Sequence, residues 1–159
     1  MVDQTPPAEG RGPFTGPDTD TLFRLRDDEP VDHPAVTVDS FVDQTNASAV
    51  RIEPGDDARD LVPHLERILL VEINFPAFGD GRGYSSARIL REAGYDGEMR
   101  AVGDVLVDQV AYMRRCGFDA FEPEKPLDRD DLEAALERWP EVYQPAADMR
   151  TPIWNKRHA

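Results

Sequence analysis

The segment Leu-Arg-Glu-Ala-Gly-Tyr-Asp at residues 90–96 returns at 113–119 as Met-Arg-Arg-Cys-Gly-Phe-Asp. Both copies read apolar, Arg, two variable residues, Gly, aromatic, Asp. The glycine falls where a helix would end and needs a left-handed backbone there. The aromatic and the aspartate then lead into a strand, MRAV at 99–102 and DAFE at 119–122. A chain that twice leaves a helix for a strand in the same way is built from strand–helix units. Such units make parallel strands joined by right-handed crossovers, which is hard to reconcile with an all-α bundle.

The alternation extends upstream. Val50-Arg51-Ile52 predicts a strand, and Asp56 and Asp57 offer capping carboxylates to a helix over ARDLVPHLERI. Pro63 removes one backbone N–H inside that stretch, so the helix is expected to be short, kinked or late. The nearly continuous apolar run at 68–75 predicts a strand covered on both faces. The loop PAFGDGRG and the helix YSSARILREA follow, with Ser85 or Ser86 as cap. A helix over 105–115 places Leu106, Val110 and Met113 on one face. A last helix begins near Asp128 or Asp130 and is expected to bury Leu132, Ala135, Leu136 and Trp139. Short strands at 21–25 and 36–38, with a helical or turn stretch near Phe41, precede these units. The expected fold is a single α/β domain over 21–159 with a parallel sheet and crossover helices. An open Rossmann-like sheet and half of a β/α barrel both fit. Residues 1–20 carry four prolines and three glycines with almost nothing to bury, and are expected to be a disordered tail.

Charge removes several function classes. Thirty-two acidic against eighteen basic side chains give a net charge of −14, which opposes a nucleic-acid backbone. No apolar run approaches the ~20 residues that span a bilayer. The N-terminal twenty residues lack the apolar core of a signal peptide, so a cytoplasmic protein is expected. The single cysteine, Cys116, cannot form an internal disulfide or hold an iron–sulfur cluster alone. His33, His64 and His158 have no ligand spacing, and no metal site is expected. Cys116 itself reads as a small buried hydrophobe, because a helix C-terminus raises a thiol pKa.

Against this acidic background residues 79–118 are neutral. Six carboxylates are balanced there by Arg82, Arg88, Arg91, Arg100, Arg114 and Arg115. An arginine-bearing island suggests recognition of an anion. Parallel strands place their functional edge beyond their C-terminal ends, which gathers Glu72, Asn74, Arg100, Asp104 and Glu122 at one rim. The glycine-rich turn before the next helix lies beside them. Backbone N–H groups and a helix dipole favour an anion at such a turn, and Arg82 could add a bidentate fork. The candidate anion-binding set is therefore Asp80, Gly81, Arg82, Gly83, Tyr84, Arg100 and Asp104, expected to converge on one cleft. Competing readings stand beside it: a tight turn with a solvated arginine, Tyr84 filling the helix–sheet interface, and Asp104 as a helix N-cap. Glu72, inside an apolar strand, either pairs with Arg100 or is a carboxylate of raised pKa. Glu72 and Asp104 are the catalytic candidates. Glycines 79, 81 and 83 do not spell the dinucleotide fingerprint, and no GK[ST] follows.

With FPAFGDGRGYSSARILRE, RAVGDVLVDQ and RRCGFDAFE in that order, the chain resembles the bacterial domain of unknown function 934 family. The resemblance runs from about Thr21 to the C-terminus and is strongest over 71–122. Members of that family are often encoded beside assimilatory sulfite reductase, and some are labelled oxidoreductases of sulfite reduction. The resemblance implies an accessory protein of sulfate or sulfite reduction with an anion-binding rim. It equally allows an oxidoreductase or other enzyme acting on a sulfur oxyanion or nucleotide sulfate. The implied partners are sulfite reductase or neighbouring sulfate-assimilation enzymes, and a small anion. The family carries no established catalytic residues to transfer. The chain has no dinucleotide, cluster or haem motif, so no intrinsic cofactor is expected and any redox cofactor would belong to a partner.

Overall fold

Strand–helix alternation builds one six-stranded sheet in the computed structural model, which describes Phe14 and residues 21–156. The expected tail lies outside the described residues except at Phe14, whose ring is buried 5.5 Å from that of Phe23. The strands are β1 (Phe23–Arg24), β2 (Val36–Thr37), β3 (Ala49–Ile52), β4 (Leu70–Phe75), β5 (Glu98–Gly103) and β6 (Ala120–Pro123). Their order is β1-β6-β5-β4-β3-β2. From β2 to β6 every neighbouring pair is parallel. The sheet is nevertheless mixed, because β1 joins β6 antiparallel with Phe23 opposite Phe121. That edge strand buries Phe23 on the apolar side, while its Arg24 guanidinium is held by buried Glu98.

From β2 to β6 strands successive in sequence are neighbours in space, while β1 lies at the far edge beside β6. Within β2–β6 the order never reverses, so the switch-point crevice of a doubly wound sheet does not arise there. Right-handed crossovers between adjacent parallel strands carry every connection to the same face. Val50, Ile52, Val71, Ile73, Phe75 and Met99 point to that face and join the apolar core. The alternate residues Arg51, Glu72 and Arg100 stand side by side on the opposite face, each in register with the next. The run at 68–75 is therefore a strand with one apolar face and one partly ionic face.

The helices are α1 (Val38–Asp43), α2 (Arg82–Glu92), α3 (Val110–Cys116), α4 (Arg129–Glu137) and α5 (Ile153–Lys156). Residues Ala58–Arg67 wind as a 3-10 helix capped by Asp57, whose carboxylate accepts the Arg59 N–H at 3.0 Å. Pro63 has no N–H to give an i→i−4 bond, in keeping with this tighter winding. Helix α2 starts upstream of the expected serine caps. Asp80 accepts the Arg82 N–H at 3.2 Å, and Ser86 is buried inside the helix. A short 3-10 turn, Val107–Gln109, precedes α3. Helix α4 is capped by Asp128 and buries Leu132, Ala135 and Leu136 as expected. Trp139 is not buried: the helix ends at Glu137, ahead of Pro140, and the indole is 69% exposed.

The repeated junction turns out to be interlocked. Gly94 and Gly117 both adopt the left-handed conformation, at φ +100° and +116°. Arg91 of the first copy reaches Asp119 of the second at 3.0 Å and also donates to the carbonyls of Tyr95, Gly97 and Gly117. Asp119 in turn accepts the Met99 N–H at 2.8 Å and the Arg26 guanidinium at 2.8 Å. Each copy supplies what the other lacks, and β5, β6, α2 and the chain after β1 are fixed to one another.

Candidate functional site

Glu72 and Arg100 both lie on the ionic face of the sheet, and both are almost fully buried. They are paired only loosely, at 3.8 Å. Glu72 takes its close contacts from Arg51, at 2.9 and 2.8 Å, while Arg100 is held by Glu98 at 2.6 Å and Glu122 at 3.4 Å. Glu98 also holds Arg24. Guanidinium groups on both neighbouring strands compensate the Glu72 carboxylate inside its strand. At the strand C-termini Glu72, Asn74 and Glu122 do share a rim. They line an open trough of about 620 Å³ with Arg51 and Glu124. Three carboxylates against one guanidinium make that trough a poor host for an anion.

Arg82 is on the other side. Helix α2 packs on the apolar face through Ala87, Leu90 and the Phe75–Tyr84 contact, with ring centroids 5.3 Å apart. The Arg82 side chain leaves the start of that helix, so the sheet lies between it and Arg100. The expectation that Gly81, Arg82, Arg100 and Asp104 line one cleft is corrected by this alternation of faces. The loop already carries its own anion: Asp80 accepts the Arg82 backbone N–H and the Nε and Nη2 donors along one edge of its guanidinium, at 3.0 and 2.7 Å. Those hydrogen bonds hold the Asp80 carboxyl below the usual carboxylate range. Arg82 and Gly83 border a crevice of about 280 Å³ whose other charged walls include Glu53, Asp56 and Asp57.

Asp104 neither caps a helix nor faces open space. Its carboxylate accepts the Phe78 N–H at 3.0 Å, and its own N–H donates to the Phe75 carbonyl at 2.7 Å. Gln109 completes the clamp by donating to the Phe78 carbonyl at 2.7 Å. The chain after β5 thereby pins the glycine-rich loop after β4. Gly103, at φ +93°, makes the crossing possible, since a Cβ there would lie 2.4 Å from the Phe75 carbonyl oxygen.

The cationic site lies elsewhere. A cleft of about 640 Å³ opens between α3, the end of α4 and the segment after it. Arg88, Arg114, Arg115 and Arg150 line it, against Asp108 alone among carboxylates. The segment after α4 is tied to α3 by Arg115, which binds Asp148 and the Gln144 carbonyl, and by the Ala147 N–H donating to the Arg115 carbonyl at 3.1 Å. Among the described residues the Arg150 guanidinium donates to the carbonyls of Trp139 and Pro140 alone, at 3.2 and 2.6 Å. Arg114 is half-buried, and among the described residues its guanidinium has neither a hydrogen bond nor an ion pair. Burial, with the charges of Arg150 and Arg115 and against the opposing charge of Asp148, pushes its pKa down. Two guanidinium groups without a carboxylate ion pair among the described residues, in a chain of net charge −14, form a local concentration of positive charge.

Aromatic rings complete the walls. Tyr112, Trp139 and Tyr143 line the cleft, and Tyr112 packs 5.1 Å from Tyr84. Tyr84 thus fills the interface between helices and sheet. Cys116 sits at the cleft floor, 2% exposed, with its thiol pKa pushed up by burial against the opposing pull of Tyr112, Arg88 and Arg115. Sequence reasoning placed Arg114 and Arg115 in the repeated junction and in the neutral island, but not in a site. Their adjacency was visible in MRRCG. The contribution of Arg150 and Trp139 was not, since it requires the C-terminal segment to fold back on α3.

Among the described residues no cluster of three His, Cys, Asp or Glu side chains is placed to hold a metal ion. No helix among them is long and apolar enough to cross a membrane. Residues 49–154 match the family model described as bacterial protein of unknown function (DUF934), and the chain belongs to that family. The matched range takes in the ionic sheet face, the Asp104 clamp and the whole cationic cleft. No curated protein and no solved structure matches the chain.

Proposed function

We propose that this family member is an accessory protein of assimilatory sulfate or sulfite reduction that binds an anion in the arginine cleft, without turnover of its own. The observation that carries the binding reading is Arg114, a half-buried guanidinium with no hydrogen bond or ion pair among the described residues, beside Arg150, whose guanidinium hydrogen-bonds among them to carbonyls alone. A half-buried guanidinium has lost part of its hydration, and an oxyanion accepting its N–H groups offsets that loss. Sulfite and sulfate have the charge and the acceptor geometry for this. The pathway assignment rests on the family's frequent encoding beside assimilatory sulfite reductase. Direct catalysis is the weaker reading, because both candidate carboxylates are already engaged: Glu72 by Arg51 and Arg100, Asp104 by the Phe78 N–H. Any redox cofactor then belongs to the partner enzyme.

A deletion strain tests the pathway. Growth on sulfide but not on sulfate or sulfite places the step at sulfite reduction, and rescue by sulfite as well places it upstream. Normal growth on sulfate removes the assignment.

A further inference from the structure

Three large aromatic side chains stand exposed in the cleft where arginines are in excess. Tyr112 is 59% exposed, Trp139 69% and Tyr143 76%. Rings of this size are ordinarily turned inward, and a group of them beside unpaired guanidinium groups marks a recognition surface. Tyr112 is a firm platform: it rests on Tyr84, which rests on Phe75, which meets Phe118 at 5.8 Å in the core. Trp139 is held out of the core by the end of α4 and Pro140, and its carbonyl binds the Arg150 guanidinium. The aromatic and cationic walls are therefore built together. At about 640 Å³ the cleft falls in the range that encloses a ligand with a ring system, and a bare tetrahedral oxyanion would leave most of it empty.

From this juxtaposition we infer that the cleft takes an anion carrying a flat aromatic ring, the chemistry of a nucleotide. The ring lies against Tyr112 and Trp139, and the phosphate or sulfate group is held by Arg114 and Arg150. Aromatic faces accept any base by stacking, while guanidinium groups fork onto the oxyanion. The inference rests on the reading of the cleft as an anion site and adds the ring to it. Arg115, already committed to Asp148 and Gln144, keeps the C-terminal segment in place and contributes only its charge.

Isothermal titration of the full chain with AMP, adenosine and inorganic sulfate separates the two. AMP is expected to bind at least about tenfold tighter than either adenosine or sulfate, since ring and anion each add affinity. Trp139→Ala and Tyr112→Ala are expected to weaken AMP about tenfold and leave sulfate unchanged, while Arg114→Ala weakens both. Trp139 is exposed beyond the end of α4, so its removal leaves the fold intact by circular dichroism even where Tyr112→Ala disturbs packing on Tyr84. Equal affinity for AMP and sulfate, unaffected by Trp139→Ala, overturns the inference and leaves the anion reading standing. Adenosine binding as tightly as AMP overturns the nucleotide chemistry. No binding by any of the three overturns both.

Discussion

Replacing Gly103 by alanine tests how the loop after β4 is held against the chain after β5. Two terms add at this position. The first is backbone conformation: at φ +93° an L side chain is strained by about 1–2 kcal/mol. The second is contact, because the new Cβ would lie 2.4 Å from the Phe75 carbonyl oxygen and 2.7 Å from Asn74 Oδ1. The first neighbour is backbone and cannot swing away, so β4 and β5 must part locally, at about 1–3 kcal/mol for an overpacked site. Moving them also strains the 2.7 Å bond from the Asp104 N–H to Phe75. Together Gly103→Ala is expected to destabilise by roughly 2–5 kcal/mol. Gly94→Ala is the control: at φ +100° it meets nothing within 4 Å, so only the conformational term of about 1–2 kcal/mol applies. Urea unfolding of the two variants beside the parent measures both. A Gly103→Ala variant no less stable than Gly94→Ala would refute the close crossing and, with it, the clamp on Phe78.

Asp119→Ala should lose about 3–5 kcal/mol in the same assay, because it removes the carboxylate partner of Arg91 and the acceptor of the Met99 N–H and leaves Arg26 to Asp28 alone; Asp119→Asn, which keeps an acceptor, should lose less. Asp28 is held down to about 2 chiefly by hydrogen bonds from Arg26, so its contribution is complete above the ordinary carboxylate value of 3.8 and is lost as pH falls through about 2. Asp28→Asn should therefore flatten the acid limb of a stability–pH curve between those values, and an unchanged limb would contradict the Arg26 assignment. Cys116 should react slowly with alkylating reagents in the native protein at neutral pH. Cys116→Ser should cost about 1–3 kcal/mol for a buried, poorly satisfied hydroxyl, while growth on sulfate at permissive temperature is kept.

The parts of the fold written in local periodicity were legible. The helix–glycine–aromatic–Asp junctions located β5 and β6, and the apolar run at 68–75 located β4, because each signal is carried by neighbours in sequence. The antiparallel attachment of β1 was not legible, since two residues have no periodicity and their place depends on Phe23 meeting Phe121 far along the chain. The strand-end rule correctly brought Glu72, Asn74 and Glu122 to one trough. It failed for Arg82 and Arg100 because residues of a strand and of the helix covering it occupy different faces. Counting charge along 79–118 detected the arginine excess but could not show which guanidinium groups were already paired. Arg82 is neutralised by Asp80 two residues away, whereas Arg114 makes no ion pair among the described residues, the close contact of Asp148 going to Arg115.

In the proposed function the cleft guanidinium groups, and not Arg82, receive an anion. Arginine Nε–Hε resonances report each of the sixteen arginines separately in solution. On titration with sulfite at neutral pH the signals of Arg114 and Arg150 should shift and saturate together, that of Arg82 should stay still, and Arg114→Ala should abolish the Arg150 response. A saturable shift at Arg82 alone, or no saturable shift at Arg114, would contradict the account.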